Sequence, residues 1–231
     1  MPTERDAETT WQPPPANLSL PAHEVHVWRA SLDQPRELEG YLATLTPDER
    51  QRAARLRRSQ DRRHFIVARG VLRMLRGGYL NRNPAAMAFR YSAHGKPALA
   101  DVPAEDVRLN LSHSHGLALF AFARGRDICI DVECVRRTVA AEQVAERVFS
   151  PAEIAALRAL PADQRAEAFF DCWARKEAYL KARGEGLTLL GTPADEKEAA
   201  RWSTLELAPG AGFKAALVVE GRDLRRRCWQ W

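Results

Sequence analysis

The sequence predicts an α+β fold, and three observations carry that expectation. Helical and strand-like segments are mixed along the chain without the regular alternation of a doubly wound parallel sheet. Two capping boxes with Pro at the first helical position, Thr46-Pro47-Asp48-Glu49 and Ser150-Pro151-Ala152-Glu153, mark helix starts. The C-terminal part, "WSTLELA", "FKAALVVE" and "LRRRCWQW", has strand composition.

The elements follow in order. Residues 1–20 are polar and Pro-rich and read as an extended lead-in. "EVHVWRASL" alternates as a first strand. The first capping box opens an Arg-rich helix, "ERQRAARLRR". A second helix, "RRHFIVARGVLRMLRGGYL", carries an apolar stripe of Phe65, Val67, Ala68, Val71, Leu72 and Leu75, and Gly77-Gly78 is expected to break or end it. Phe89 to Leu99 is strand material around the loop "HGKPAL". "RLNLSHSHG", "LALFAFARG" and "DICIDVEC" follow as strands. The second capping box starts a helix through Leu160. A long helix from about Asp163 to Arg183 is closed by Gly184. The last two strands are expected to form a hairpin through Gly221.

The 231 residues suffice for one large domain or two small ones. A formal charge of +5, from 35 basic and 30 acidic residues, favours an anionic ligand or surface without naming one. Most of the basic residues are Arg, which suits phosphate and carboxylate recognition. Cys129, Cys134, Cys172 and Cys228 form no C-x-x-C pair and have no His cluster beside them, so neither a zinc site nor a disulfide framework is expected. The N-terminal stretch lacks the basic and apolar regions of a signal peptide, and no apolar run is long enough to span a membrane. A cytoplasmic protein is expected.

Four segments could carry chemistry. In "DICIDVEC" a strand would place Cys129, Asp131 and Glu133 on one face, with the two carboxylates roughly 6–7 Å apart at the backbone. They would repel unless a cation such as Mg²⁺ lay between them, or unless the strand faces solvent. In "CWARKEAYLKARGEGL" (172–187), Trp173, Lys176, Glu177, Leu180 and Lys181 lie on one helical stripe. Glu177 and Lys181 fit either a surface ion pair or a catalytic face. In the second case Glu177 is a metal ligand or base, and Lys176 and Lys181 meet an anion. "NLSHSHG" offers Ser112, His113, Ser114 and His115. Neighbouring strand side chains diverge, so phosphate or ribose binding fits better than a catalytic triad, and a polar turn remains the plain alternative. The Gly-Lys-Pro turn at Lys96 presents one Lys on a rigid loop.

These segments occur in one order: G-K-P, N-x-S-H-S, I-D-x-E, then W-x-x-K-E-x-x-x-K-x-x-G-x-G-L. Together they resemble the 4′-phosphopantetheinyl transferases, specifically the larger Sfp-type subfamily. The resemblance covers residues 91–190 by its motifs, and 47–76 more loosely. It implies a pseudo-dimer of two similar subdomains, here 21–126 and 127–231 after the 1–20 lead-in, with coenzyme A in the cleft between them and a monomeric enzyme. It also implies a reaction. A serine hydroxyl of an acyl or peptidyl carrier protein attacks the β-phosphate of coenzyme A, and 3′,5′-ADP leaves.

Site residues carry over from the same resemblance. Asp131, Glu133 and Glu177 match the family's Mg²⁺ ligands, with Mn²⁺ as a substitute. Glu177 or a metal-bound water is the candidate base, and Lys181 matches the lysine at the phosphate. Lys96, Ser112 and His113 match coenzyme A contacts. Arg63 and Arg69 are the favoured N-terminal contacts, although an ungapped comparison puts His64 where some relatives carry a phosphate-binding Arg. Cys129 departs from the Gly usual at that position. Two rival readings are a metal-dependent nucleotide phosphohydrolase and a nucleic-acid binder using the Arg-rich helices. Neither accounts for the four motifs occurring together, so no nucleic-acid or membrane partner is expected.

Overall fold

The structure, a computed structural model, describes residues 9–34, 37–87, 89–91, 97–99, 107–136, 140–184 and 196–231. Strand β1 (Glu24–Ser31) is followed by helices α1 (Leu38–Thr44), α2 (Pro47–Arg55) and α3 (Ser59–Leu80) and a 3₁₀ turn at Pro84–Ala86. Strands β2 (Phe89–Tyr91), β3 (Pro97–Leu99), β4 (Arg108–Ser114), β5 (Leu117–Ala123) and β6 (Ile128–Cys134) come next. Helices α4 (Ala140–Val148), α5 (Pro151–Ala159), α6 (Ala162–Arg183) and α7 (Glu196–Ala200) precede β7 (Trp202–Leu207), β8 (Phe213–Glu220) and β9 (Arg225–Gln230). The α+β class expected from the sequence is observed.

The chain divides into two compact units. The N-terminal unit comprises Thr10–Arg126 and Leu224–Trp231, and the C-terminal unit is built on Asp127–Asp223. The boundary between the units lies between Arg126 and Asp127, and residues 224–231 group with the N-terminal unit rather than with the 127–231 stretch.

The N-terminal sheet has the order β4-β5-β1-β9. Its helix-facing side chains include Trp28, Ala30, Phe120 and Phe122, which form one core with Val67, Val71, Leu72 and Leu75 of α3. The C-terminal sheet has the order β6-β8-β7. Ala216 and Val218 of β8 and Trp202 of β7 pack there on Ala174 and Ala178 of α6. The two units share a plan. Each has a first strand, a capped short helix, a 22-residue helix and then an antiparallel pair whose second strand lies beside the first strand. The sequence shows no evident repeat, because element type and connection order are shared rather than residues.

Both capping boxes are present, and each has a second use. Thr46 N–H donates to Glu49 Oε2 at 3.1 Å, and Arg73 of α3 donates to the same oxygen at 2.7 Å. Ser150 N–H donates to Glu153 Oε2 at 2.6 Å, and Lys176 Nζ of α6 lies 2.9 Å from it. In each unit the capping carboxylate therefore ties the short helix to a cation on the long one. Arg73 also donates to the carbonyls of Pro84 and Met87, which holds the segment after α3 against that helix.

Three sequence expectations are corrected. Gly77-Gly78 do not break α3, which continues to Leu80 and closes on Asn81 at φ 51°. A Cβ at Gly77 would lie 2.8 Å from the Arg82 carbonyl, and one at Gly78 would lie 2.6 Å from Leu18 Cδ1, so close packing explains the pair. The strands on either side of Gly221 form no hairpin. Strand β8 pairs with β6 and β7, whereas β9 runs parallel to β1 with Trp28 opposite Trp229. Part of the lead-in is docked: Gln12 bridges Trp229, and Leu20 is buried. Among the described residues no helix is long and apolar enough to cross a membrane, and none of the four cysteines is in a disulfide.

Candidate active site

Strand β6 places the D-x-E carboxylates as its alternation requires. Asp131 pairs with Ala216 and Glu133 with Lys214 across the antiparallel ladder to β8. Both carboxylates lie on the face covered by α6. Small residues allow this: Ala174 and Ala178 are fully buried against Ala216, so the helix comes close to the sheet. Asp131 is consequently 2% exposed. Cys129, where the resemblance leads one to expect Gly, is fully buried within the strand.

Helix α6 then hangs Glu177 and Lys181 over β6. Lys181 Nζ lies 2.5 Å from Asp131 Oδ1 and 3.5 Å from Glu177 Oε2. Burial raises the Glu177 carboxyl above its ordinary value; Lys181 pulls it down and Asp131 pushes it further up. For Lys181, burial works to lower the ammonium, but Asp131 and then Glu177 outweigh it and leave it raised. Asp131 of the strand and Glu177 and Lys181 of the helix, remote in sequence, thus form one cluster.

Glu133 and Lys176 are held separately. Trp173 Nε1–H donates to Glu133 Oε1 at 3.3 Å, and the indole stacks on Phe169 with centroids 6.0 Å apart. Lys176 Nζ turns to Glu153 and lies 5.7 Å from the Phe149 ring centroid. Backbone and side-chain hydrogen bonds from Ser150, together with Lys176, lower the Glu153 carboxyl against the opposing effect of burial. Among the described residues no three His, Cys, Asp or Glu side chains are drawn together as a closed ligand set. The donor chemistry nevertheless fits a hard divalent cation: carboxylate oxygens converge where positive charge already resides. Trp173 as a donor and Glu153 as a partner were missed in the sequence. The only signal for Glu153 was its place in a capping box.

In the N-terminal unit, Ser112 is half-buried and His113 exposed on opposite faces of β4. The turn after them carries His115 at φ 42° and Gly116 at φ 78°. The left-handed φ favours Gly at 116, and a Cβ there would also displace the Asp33 carboxylate, whose Oδ2 would lie 2.0 Å away. Asp33 binds His64 Nε2 at 2.7 Å, and hydrogen bonding to His64 is the main cause that lowers its carboxyl, with Arg63 contributing through its charge. The start of α3 therefore meets the 112–116 turn, and Arg63 is exposed there. Arg69 is elsewhere. It is buried with Nε 3.5 Å from Glu49, beside Arg73. Lys96 lies outside the described residues.

The two halves each match a family model. Residues 26–124 match "4′-phosphopantetheinyl transferase, N-terminal", and residues 127–216 match the 4′-phosphopantetheinyl transferase superfamily. The chain is 43% identical to the 4′-phosphopantetheinyl transferase HetI of a Nostoc species over 233 residues, covering 96% of this chain and 98% of that protein. It is 32% identical over 162 residues to a putative 4′-phosphopantetheinyl transferase of Synechocystis, covering 70% and 65% of the two chains. It is 27% identical over 161 residues to the 4′-phosphopantetheinyl transferase Sfp of Bacillus subtilis, covering 68% and 70%. The chain belongs to the 4′-phosphopantetheinyl transferase family.

Proposed function

We propose that this enzyme moves the 4′-phosphopantetheine group of coenzyme A onto a serine of acyl or peptidyl carrier protein domains. The observation that carries this reading is the convergence of Asp131, Glu177 and Lys181 at one point, in a chain whose two halves match the family in order. The serine oxygen forms a bond to the β-phosphorus. The bond from that phosphorus to the bridging oxygen breaks, and 3′,5′-ADP departs with the electron pair. Asp131, Glu133 and Glu177 would hold Mg²⁺, or Mn²⁺ in its place. When bound, such an ion neutralises pyrophosphate charge.

The remaining work belongs to side chains. Glu177 accepts the serine proton, as a carboxylate placed beside the reacting phosphate can. Lys181 stabilises negative charge on the departing phosphate. Ser112, His113 and Arg63 contact the phosphates of the nucleotide, with Lys96 as a further contact. Arg69 and Lys176, held by Glu49 and Glu153, serve the fold before the substrate. We assign the enzyme to the cytoplasm as a monomer without a nucleic-acid partner.

The test incubates the protein with coenzyme A, Mg²⁺ and a panel of apo carrier domains, read by intact mass. A carrier gaining one phosphopantetheine group is the expected result. An unmodified panel beside active control enzymes would overturn the reading.

A further inference from the structure

Each carboxylate of the candidate metal site is already engaged by a donor of the chain itself. Trp173 holds Glu133, and the Lys181 ammonium lies against Asp131 and Glu177. A divalent ion bound by Asp131 and Glu177 needs an oxygen of each at roughly 2.1 Å. Lys181 Nζ is 2.5 Å from Asp131 Oδ1 and 3.5 Å from Glu177 Oε2, so an ion shared by these two carboxylates would lie close to the ammonium, and the two cations would repel each other. The ammonium sits at the end of a flexible four-carbon stem, and the side chain is 40% exposed. It can leave by rotamer change alone, without moving the backbone of α6.

We propose that Lys181 is the resident counter-cation of the metal site, and that binding of the divalent ion and departure of Lys181 onto a coenzyme A phosphate are one coupled exchange. Without substrate, Lys181 offsets part of the charge of Asp131 and Glu177 and weakens metal binding. When coenzyme A offers its phosphates, the ammonium transfers to them and the carboxylates open to the metal. The coupling is reciprocal: the metal tightens coenzyme A by the factor by which coenzyme A tightens the metal. The site therefore resists loading by free Mg²⁺ and assembles on its substrate.

This inference rests on the proposed function, and calorimetry separates the two. Mg²⁺ is titrated into the protein with and without coenzyme A, with no carrier present. Wild type should bind Mg²⁺ weakly alone and more tightly with coenzyme A. Lys181→Met should bind Mg²⁺ on the order of tenfold more tightly than wild type without coenzyme A, and should show a smaller enhancement by coenzyme A than wild type, keeping only the part due to direct attraction between ion and phosphate. Lys181→Arg keeps a permanent charge and forks onto carboxylates, so it should bind free Mg²⁺ more weakly than wild type. The Arg variant decides the matter if the Met variant does not fold. Wild-type Mg²⁺ affinity in every folded variant, or full enhancement by coenzyme A in Lys181→Met, overturns the exchange. If wild type modifies carriers while the variants bind Mg²⁺ like wild type, only this inference falls. If wild type modifies no carrier, the functional reading itself falls.

Discussion

Trp173 of α6 donates its indole N–H to Glu133 of β6, Nε1 to Oε1 at 3.3 Å. The same ring stacks on Phe169, so its position is fixed by the helix core as well as by the carboxylate. Trp173→Phe keeps the stacking surface and removes the donor. It should cost about 1 kcal/mol of stability. It should also raise the Mg²⁺ concentration for half-maximal transfer by about tenfold, the size of effect typical of residues behind metal ligands. An unchanged Mg²⁺ dependence would show that the bond does not position Glu133.

Asp131→Asn and Glu177→Gln keep side-chain volume and remove charge. Each should reduce transfer by at least about a hundredfold while circular dichroism and thermal melting show a folded protein. Activity near wild type in both variants would remove the cluster from the mechanism.

Glu49 is 2% exposed and holds Arg73 at 2.7 Å and Arg69 at 3.5 Å. Glu49→Ala strips the carboxylate from two buried guanidinium groups and removes half of a capping box. A loss of about 3–5 kcal/mol in urea denaturation is expected. A loss below about 1 kcal/mol would mean that the buried arginines find other compensation.

His26 is 2% exposed, with Nδ1 2.8 Å from Tyr79 Oη and Nε2 3.0 Å from Glu24 Oε2. Trp28 donates to the same Tyr79 hydroxyl at 2.8 Å. A neutral ring with its proton on Nε2 completes a directional chain: Trp28 to Tyr79, Tyr79 to His26, His26 to Glu24. Burial lowers the His26 pKa from 6.5, against the upward pull of Glu24, while Arg227 lowers it further. Below pH 6.5 the unfolded chain takes up a proton that the native state refuses, so stability falls as pH falls. The slope from this residue is at most about 1.4 kcal/mol per pH unit. Denaturation of wild type and His26→Gln between pH 7.5 and 5.5 should give curves that converge toward low pH; parallel curves would refute the buried neutral histidine.

Local chemistry was readable from the residues themselves. Thr46 and Ser150 announced two helices, Gly184 ends α6 at φ 70° as a left-handed cap, and alternation in 128–134 put Asp131 and Glu133 on one face. Helix α1, "LEGYLAT", escaped notice because it is short, contains Gly40 and buries only Tyr41. What failed was anything that depends on a distant partner. The 173–181 stripe was visible, yet nothing in its spacing says that Lys181 turns to Asp131 while Lys176 turns to Glu153. Nothing in the Arg-rich helix says which arginine meets Glu49, and only the fold places that carboxylate beside Arg69. Gly221 read as a hairpin turn, because turn chemistry specifies a change of direction and not the strand that receives the chain.

Strand β9 gives the chain a folding order. The sheet that begins at Glu24 is finished only by residues 225–230, after the whole of the C-terminal unit has been made. During synthesis β1 keeps an open edge, and Trp28 lacks its neighbour Trp229, until residues 225–230 leave the ribosome. The two family-matched halves are therefore not separable as genes cut at residue 126. The first half expressed alone lacks its closing strand, and it would need a peptide carrying residues 224–231 supplied in trans.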